Sequence, residues 1–279
     1  RETGASEAGP SLSASSNRSR SGGSEGTSAL APSSGRAEAS GDAGSGVPVA
    51  VGADAGVGAD AVEVLFEGAD SGEPVPGRPT TPYLRSLPMD AALDPDTILA
   101  HEMNGERLPE DHGHPIRLVV PRWFGMASVK WLRRITVLDR PFEGYFQTEK
   151  YVLKSDGLPP MPLTRMFVKS LISSPRHGEV FTLGEHKVMG LAWSGTGAVN
   201  RVELSDDFGE SWRPAQLGGL NHQYAWQQWA ATWQPQSPGH HTLMARATDA
   251  SGSIQPMEPN WNELGYAINK VQSVCVNVE

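Results

Sequence analysis

The sequence predicts an all-β, immunoglobulin-like sandwich over residues 165–279, preceded by a second domain over 61–154 and a disordered tail over 1–60. Three observations carry this reading. After position 165, short runs with period-two alternation recur about every eight to twelve residues, the spacing of a sandwich. Pro159, Pro160 and Pro162 crowd into 155–164, which reads as a crossover linker. At the front, 29 of the first 45 residues are Gly, Ser or Ala, and no aromatic residue precedes Phe66. Such a stretch buries too little apolar surface to offset the entropy of ordering it.

Order is expected to begin at Ala61. Val62-Glu63-Val64-Leu65-Phe66 reads as a strand that Gly68 ends, and 71–82, rich in Pro, Gly and Thr, reads as a loop. Ile98 to Met103 is a strand, and Asn104-Gly105 supplies the residue pair of a type I′ hairpin turn. Ile116 to Val120 is a strand stopped by Pro121, and Ile135-Thr136-Val137 is a short one. Between them, 125–131 is expected to form a loop feeding a single turn. In the sandwich, strands are expected at Val188–Trp193, Val199–Leu204, Trp226–Trp233, Thr242–Ala247 and Val271–Val278. The turns between them are Ser194-Gly195-Thr196-Gly197, Asp206-Asp207-Phe208-Gly209 and Asp249-Ala250-Ser251-Gly252. Trp193, Trp212, Trp226, Trp229 and Trp233 read as packing residues.

A formal net charge of -9 argues against nucleic-acid binding, which needs a basic face. No apolar run is long enough to span a bilayer as a helix, and no signal-peptide core is visible. One cysteine, Cys275, excludes an internal disulfide framework and any cysteine-cluster metal site. The eight histidines include no pair spaced as a helical zinc site requires, and no Gly-x-Ser-x-Gly elbow occurs, so no metal ligand set and no serine nucleophile are assigned.

The chemically informative segment is 98–154. His112, Arg117 and Lys130 are donors or cations around a strand and a Gly-containing loop, which suits an anionic ligand such as a phosphate. Backbone N–H groups after Gly125 are expected to add a nest-like set of donors. A surface strand with scattered charges would present the same composition.

The strings Met103-Asn104-Gly105, Asp111-His112-Gly113, Pro115 with Arg117, and Val129-Lys130-Trp131-Leu132 resemble the sulfite oxidase family. So do Phe66-Glu67-Gly68-Ala69-Asp70 and Arg85-Ser86-Leu87-Pro88. Downstream, Gly190-Leu191-Ala192-Trp193-Ser194-Gly195 and Pro259-Asn260-Trp261-Asn262 resemble that family's dimerisation domain. The resemblance covers roughly 61–279. It implies a mixed α+β, partial molybdopterin-binding domain over 61–154 and an immunoglobulin-like dimerisation domain over 165–279. It assigns pterin contacts to Asp70, His112, Arg117, Ser128, Val129 and Lys130, some through the backbone, and places Tyr151 beside the substrate pocket. The implied cofactor is molybdopterin with molybdenum, and the implied substrate a small oxyanion such as sulfite. A homodimer is implied, and a periplasmic location is compatible with it. No Cys-x-x-Cys-His motif is present, so a haem or cytochrome acceptor would be a separate chain.

Two departures stand out. The family holds molybdenum through a cysteine upstream of the Asp70 segment, where this chain has none. Where sulfite oxidases carry Trp-Asn-Leu-Arg-Gly, this chain has Trp261-Asn262-Glu263-Leu264-Gly265, and Leu264 cannot donate to an anion. These departures support a rival expectation: a catalytically inactive remnant acting as a dimerisation or structural module.

Overall fold

The alternation of buried and outward residues sets the first sheet. In β2 (Glu63–Gly72), Val64 and Phe66 are fully buried while their neighbours face outward, as a strand covering a core on one face requires. β2 lies between β3 (Thr81–Pro88) and β8 (Leu132–Leu138), antiparallel to both. The chain is seen here in a computed structural model that describes residues 46–48, 58–155, 157–219 and 224–279. Most of the expected tail lies outside the described residues, as does His222. Within that tail, Gly46–Pro48 form a strand, β1, paired with β4 (Ile98–Ala100).

Two expectations for this lobe are corrected. Gly68 does not end β2: the register shifts there against both neighbours and the strand continues to Gly72, as a bulge allows. The second correction is β3, which carries Pro82 and Pro88 and was read partly as loop. It is an edge strand, where a missing N–H leaves no ladder bond unmade. The strand expected over Ile98 to Met103 is divided into β4 and β5 (Glu102–Met103). β5 turns through Asn104 (φ 54°) and Gly105 (φ 78°) into β6 (Glu106–Arg107). Positive φ at both turn residues is the type I′ geometry that the Asn-Gly pair predicts. β7 (Arg117–Val119) pairs with β4. A 3-10 turn over Gly125–Ala127 follows, as expected. Helix is scarce: α1 (Met89–Ala92) and α2 (Tyr145–Thr148) are four residues each. The mixed α+β expectation is therefore corrected: among the described residues the lobe is almost all strand and loop, with two four-residue helices.

Beyond the short hairpin of β9 (Val152–Leu153) and β10 (Met161–Pro162), two larger sheets share one core. One contains β11 (Lys169–Ser174), β13 (His186–Trp193), β17 (Gln227–Trp233) and β16 (Gln216–Gly218), in that order. The other runs β12 (Val180–Phe181), β19 (Gln272–Val278), β18 (Gly239–Asp249), β14 (Val199–Ser205), β15 (Arg213–Pro214). Val188, Ala192 and Trp233 from the first sheet meet Val202, Leu204, Leu243 and Val276 from the second. Gly190 is required in this core, because a Cβ there would lie 2.1 Å from the Leu171 carbonyl and 2.3 Å from the Trp229 ring.

The lobes are joined through backbone. Phe124 N–H donates to Thr164 (2.9 Å), Met166 N–H to Arg122 (2.8 Å) and Gly195 N–H to Met166 (2.8 Å).

Candidate cofactor and substrate site

The site begins at Gly113. Its φ of 106° is open to glycine and costly for other residues. A Cβ here would lie 2.9 Å from Lys130 Cβ and 3.1 Å from Arg117 Cβ. The bare backbone therefore lets the stems of Arg117, on β7, and Lys130, after the 3-10 turn, close around it. Their charged ends settle on consecutive carbonyls: Arg117 Nη1 donates to His112 (3.2 Å), and Lys130 Nζ to Asp111 (2.9 Å). Arg117 Nη2 also donates to the Ser128 carbonyl at 3.3 Å. Arg117 Nε is buried and has no partner, and among the described residues no carboxylate lies within 4.0 Å of either cation. Burial without a counter-ion lowers the pKa of Arg117 from its ordinary value. A half-buried guanidinium with an unused donor and no counter-ion carries a charge that an anion at its exposed edge would balance.

Beside it lies a cleft of about 200 Å³ lined by Asp70, Tyr83, Met126, Ser128, Lys130 and Tyr151, among others. Asp70 is placed by the β2 bulge. A Cβ on Gly68 would lie 2.3 Å from Asp70 Oδ1, so glycine there lets the carboxylate fold back. Lys130 Nζ also stands 4.5 Å from the centre of the Trp131 ring. Tyr151 enters from the far side with a φ of 36°. Its ring is stacked on Phe146 at 6.2 Å and tilted against Tyr266 of the sandwich at 5.6 Å.

The structure thus brings Asp70, Ser128, Lys130 and Tyr151 to one cleft and sets Arg117 beside it. His112 contributes its carbonyl to Arg117, while its side chain is exposed and is not among the cleft-lining groups. Val129 faces the opposite way. Its side chain is buried in the core, its N–H donates to Ala127 and its carbonyl accepts from Leu118. Three of the N–H groups expected to form a nest after Gly125 are already used within the turn. The N–H groups of Ala127, Ser128 and Val129 are all committed to carbonyls of the same turn region. Sequence reasoning missed Tyr83, whose phenol donates to the Met126 carbonyl at 2.7 Å and whose burial raises its pKa.

Residues 37–146 match the oxidoreductase molybdopterin binding domain family, and residues 161–279 match the Mo-co oxidoreductase dimerisation domain family. Mitochondrial sulfite oxidase of Homo sapiens is 36% identical over 236 residues, covering 77% of this chain and 42% of that protein. The chain belongs to the sulfite oxidase family. Drosophila melanogaster sulfite oxidase is 36% identical over 246 residues, with 77% of this chain and 41% of that protein covered. Betula pendula nitrate reductase is 30% identical over 250 residues, with 79% and 28% covered. Among solved structures, the sulfane dehydrogenase SoxCD from Paracoccus pantotrophus superposes with a TM-score of 0.70 at 33% identity. That superposition covers 84% of this chain and 61% of the other. This family member spans about two-fifths of the length of the sulfite oxidases it matches.

Its cofactor class is molybdopterin. The cradle at Gly113 and the unpartnered Arg117 Nε fit the phosphate of such a group. No thiol lines the cleft: Cys275 sits in β19 of the sandwich with Thr242 Oγ1 at 3.7 Å. The loop with Leu264 folds back on the crossover. Glu263 N–H donates to Lys154 (2.9 Å), and Asn262 grips Tyr266 through its N–H (3.1 Å) and carbonyl (2.7 Å). The same loop thus fixes the backbone of Tyr266, whose ring lies 5.6 Å from that of Tyr151.

Proposed function

We propose that this chain forms part of a molybdenum-cofactor-dependent oxidoreductase acting on a small oxyanion such as sulfite. Its electrons would leave through a separate haem or cytochrome protein, and the enzyme would work as a homodimer. The observation that carries the reading is Arg117, a partly buried cation with an unused donor, next to a cleft shared by Lys130, Ser128 and Tyr151. We assign the anchoring lobe to 61–154 and an immunoglobulin-like sandwich, the dimerisation module, to 165–279.

When bound, the cofactor supplies the two-electron exchange. The residues of this chain do the rest. Arg117 and Lys130 neutralise the cofactor phosphate and fix its orientation. Ser128 Oγ accepts from Val120 N–H at 3.1 Å, which leaves its own hydroxyl proton free to be donated. Tyr83 keeps its proton, because burial disfavours its phenolate, and serves as a wall of the cleft. Tyr151 presents a phenol at the substrate edge, placed to donate to an oxygen of the bound anion. With Leu264 in place of a cation, anion binding would rest on the anchoring-lobe side of the cleft.

The test is purification from a host that makes the cofactor, followed by pterin and molybdenum analysis and sulfite-dependent cytochrome reduction. Arg117→Ala and Lys130→Ala should each lower pterin content at least several-fold with near-unchanged thermal unfolding. Full pterin retention in the double variant would overturn the assignment. A second reading is favoured by Cys275, the sole cysteine, standing in β19. In it, the chain retains pterin but little molybdenum and acts as a structural module. Near-stoichiometric molybdenum would sink that alternative.

A further inference from the structure

Arg85 is, with Asp249, one of the two most buried charged residues among the described residues, at 1% exposure. Among the described residues no carboxylate lies within 4.0 Å of it and its Nε has no partner, and burial lowers its pKa. Holding an unpaired guanidinium in a protein interior costs several kcal/mol. Tying down two carbonyls for shape alone is a poor return for that cost, so the position of those carbonyls matters. Arg85 Nη1 donates to the carbonyl of Phe146, and Nη2 to the carbonyl of Leu163 at 3.1 Å. Both recipients are neighbours of Tyr151. The Phe146 ring stacks on the Tyr151 ring, and Leu163 N–H donates to the Tyr151 carbonyl at 2.8 Å. Tyr151 itself has a φ of 36°, a conformation a tyrosine adopts only when its surroundings impose it.

We propose that Arg85 is a positioning residue for the cleft: its planar fork fastens the two segments that flank Tyr151 and so fixes the phenol at the substrate edge. One arm holds the side against which the ring packs. The other holds the strand that fixes the backbone. A rigid fork suits this task better than a lysine, whose single ammonium must divide its donors between two sites. The arrangement starts on β3, where Tyr83 and Arg85 are two residues apart and project from the same face of the strand. Tyr83 meets Phe146 from that face, with ring centres 4.8 Å apart. The strand thus supplies one wall of the cleft and the clamp behind the opposite wall. The significance of the clamp rests on the reading of Tyr151 as a substrate-edge residue.

The experiment uses the whole chain labelled with 3-fluorotyrosine, whose five tyrosine signals are assigned by single Tyr→Phe variants. In the wild type, Tyr151 should give one narrow fluorine resonance. In Arg85→Met it should shift by more than its linewidth or split. Tyr224, whose hydroxyl donates to Asp96, should stay in place as a reporter of the fold. Arg85→Gln, shorter and neutral, serves if the methionine variant does not fold, and should displace the same signal. Arg85→Lys should restore it in part. An unmoved Tyr151 resonance in either folded neutral variant overturns the proposal. Sulfate titration of the wild type and Tyr151→Phe tests the substrate-edge reading separately. Unchanged sulfate affinity in Tyr151→Phe would remove Tyr151 from anion binding while leaving the clamp to stand or fall on its fluorine signal.

Discussion

At the scale of single residues, the decisive groups are those whose surroundings conflict with their chemistry. Gly113→Ala should destabilise the chain by about 1–3 kcal/mol, since it adds left-handed strain and a Cβ that lies 2.9 Å from Lys130 Cβ. Urea denaturation measures the loss. Asp249 presents the opposite case, a carboxylate fully provided with donors. Its burial alone would raise its pKa, but hydrogen bonds from Ser194, Ser251 and Thr196 outweigh burial and bring it to about 2. The folded pKa lies below the unfolded one. The associated stability, on the order of 2 kcal/mol, is therefore present above about pH 4 and is lost as pH falls through about 2. Thermal melts between pH 2 and 6 should show this acid dependence weakened in Asp249→Asn. The candidate site was legible in the sequence through Arg117 and Lys130, because charge and resemblance both point to them. Tyr83 and Arg85 were not, because their partners lie 43 to 78 residues away along the chain.

At the scale of elements, period-two alternation locates strands wherever one face is buried and the other is wet. That is why β13, β14, β17, β18 and β19 were readable within a few residues. β3 escaped because prolines at an edge strand mimic a loop, and the continuation of β2 escaped because a glycine at a bulge mimics a stop. No local pattern reveals what fastens the two sheets together. Gln255, buried, lies between them. Its Oε1 accepts from Ser170 N–H (2.7 Å) and Ala247 N–H (3.2 Å). Its Nε2 donates to Ser170 (3.3 Å) and Lys270 (3.1 Å) carbonyls. An amide with all these bonds made stitches β11 to β18 and to the segment entering β19. Gln255→Leu, similar in volume, should cost about 3 kcal/mol, because it strands buried backbone groups. Guanidinium unfolding checks this, and a loss below about 1 kcal/mol would mean that water takes over the bonds.

At the scale of the whole molecule, the sandwich has its own core and its own fastening. Residues 165–279 expressed alone should fold and sediment as a dimer at about 100 μM, a concentration at which an interface of ordinary size persists. A monomeric fragment would place the dimer contacts elsewhere. Formal net charge of -9 makes association of two copies sensitive to salt, so the sedimentation should be run at low and at physiological ionic strength. No helix of the described residues is long and apolar enough to cross a membrane.

Gly195 lets main chain from both lobes meet directly. A Cβ there would meet the Arg122 carbonyl at 2.3 Å and the Met166 backbone at 2.5 Å. At this point three stretches of main chain run against one another with no side chain between them to act as a cushion. Arg122 belongs to the first lobe, Met166 to the segment entering the sandwich and Gly195 to one of its turns, so the contact works as a weld. Rotation of one lobe against the other would have to break hydrogen bonds before it could move any side chain. On the proposed role of Tyr151, substrate entry would rely on local motion of the aromatic edge at Tyr151 and Tyr266, which pack at 5.6 Å. Gly195→Ala would act as a wedge between Arg122 and Met166 and should lower the unfolding temperature in a thermal melt.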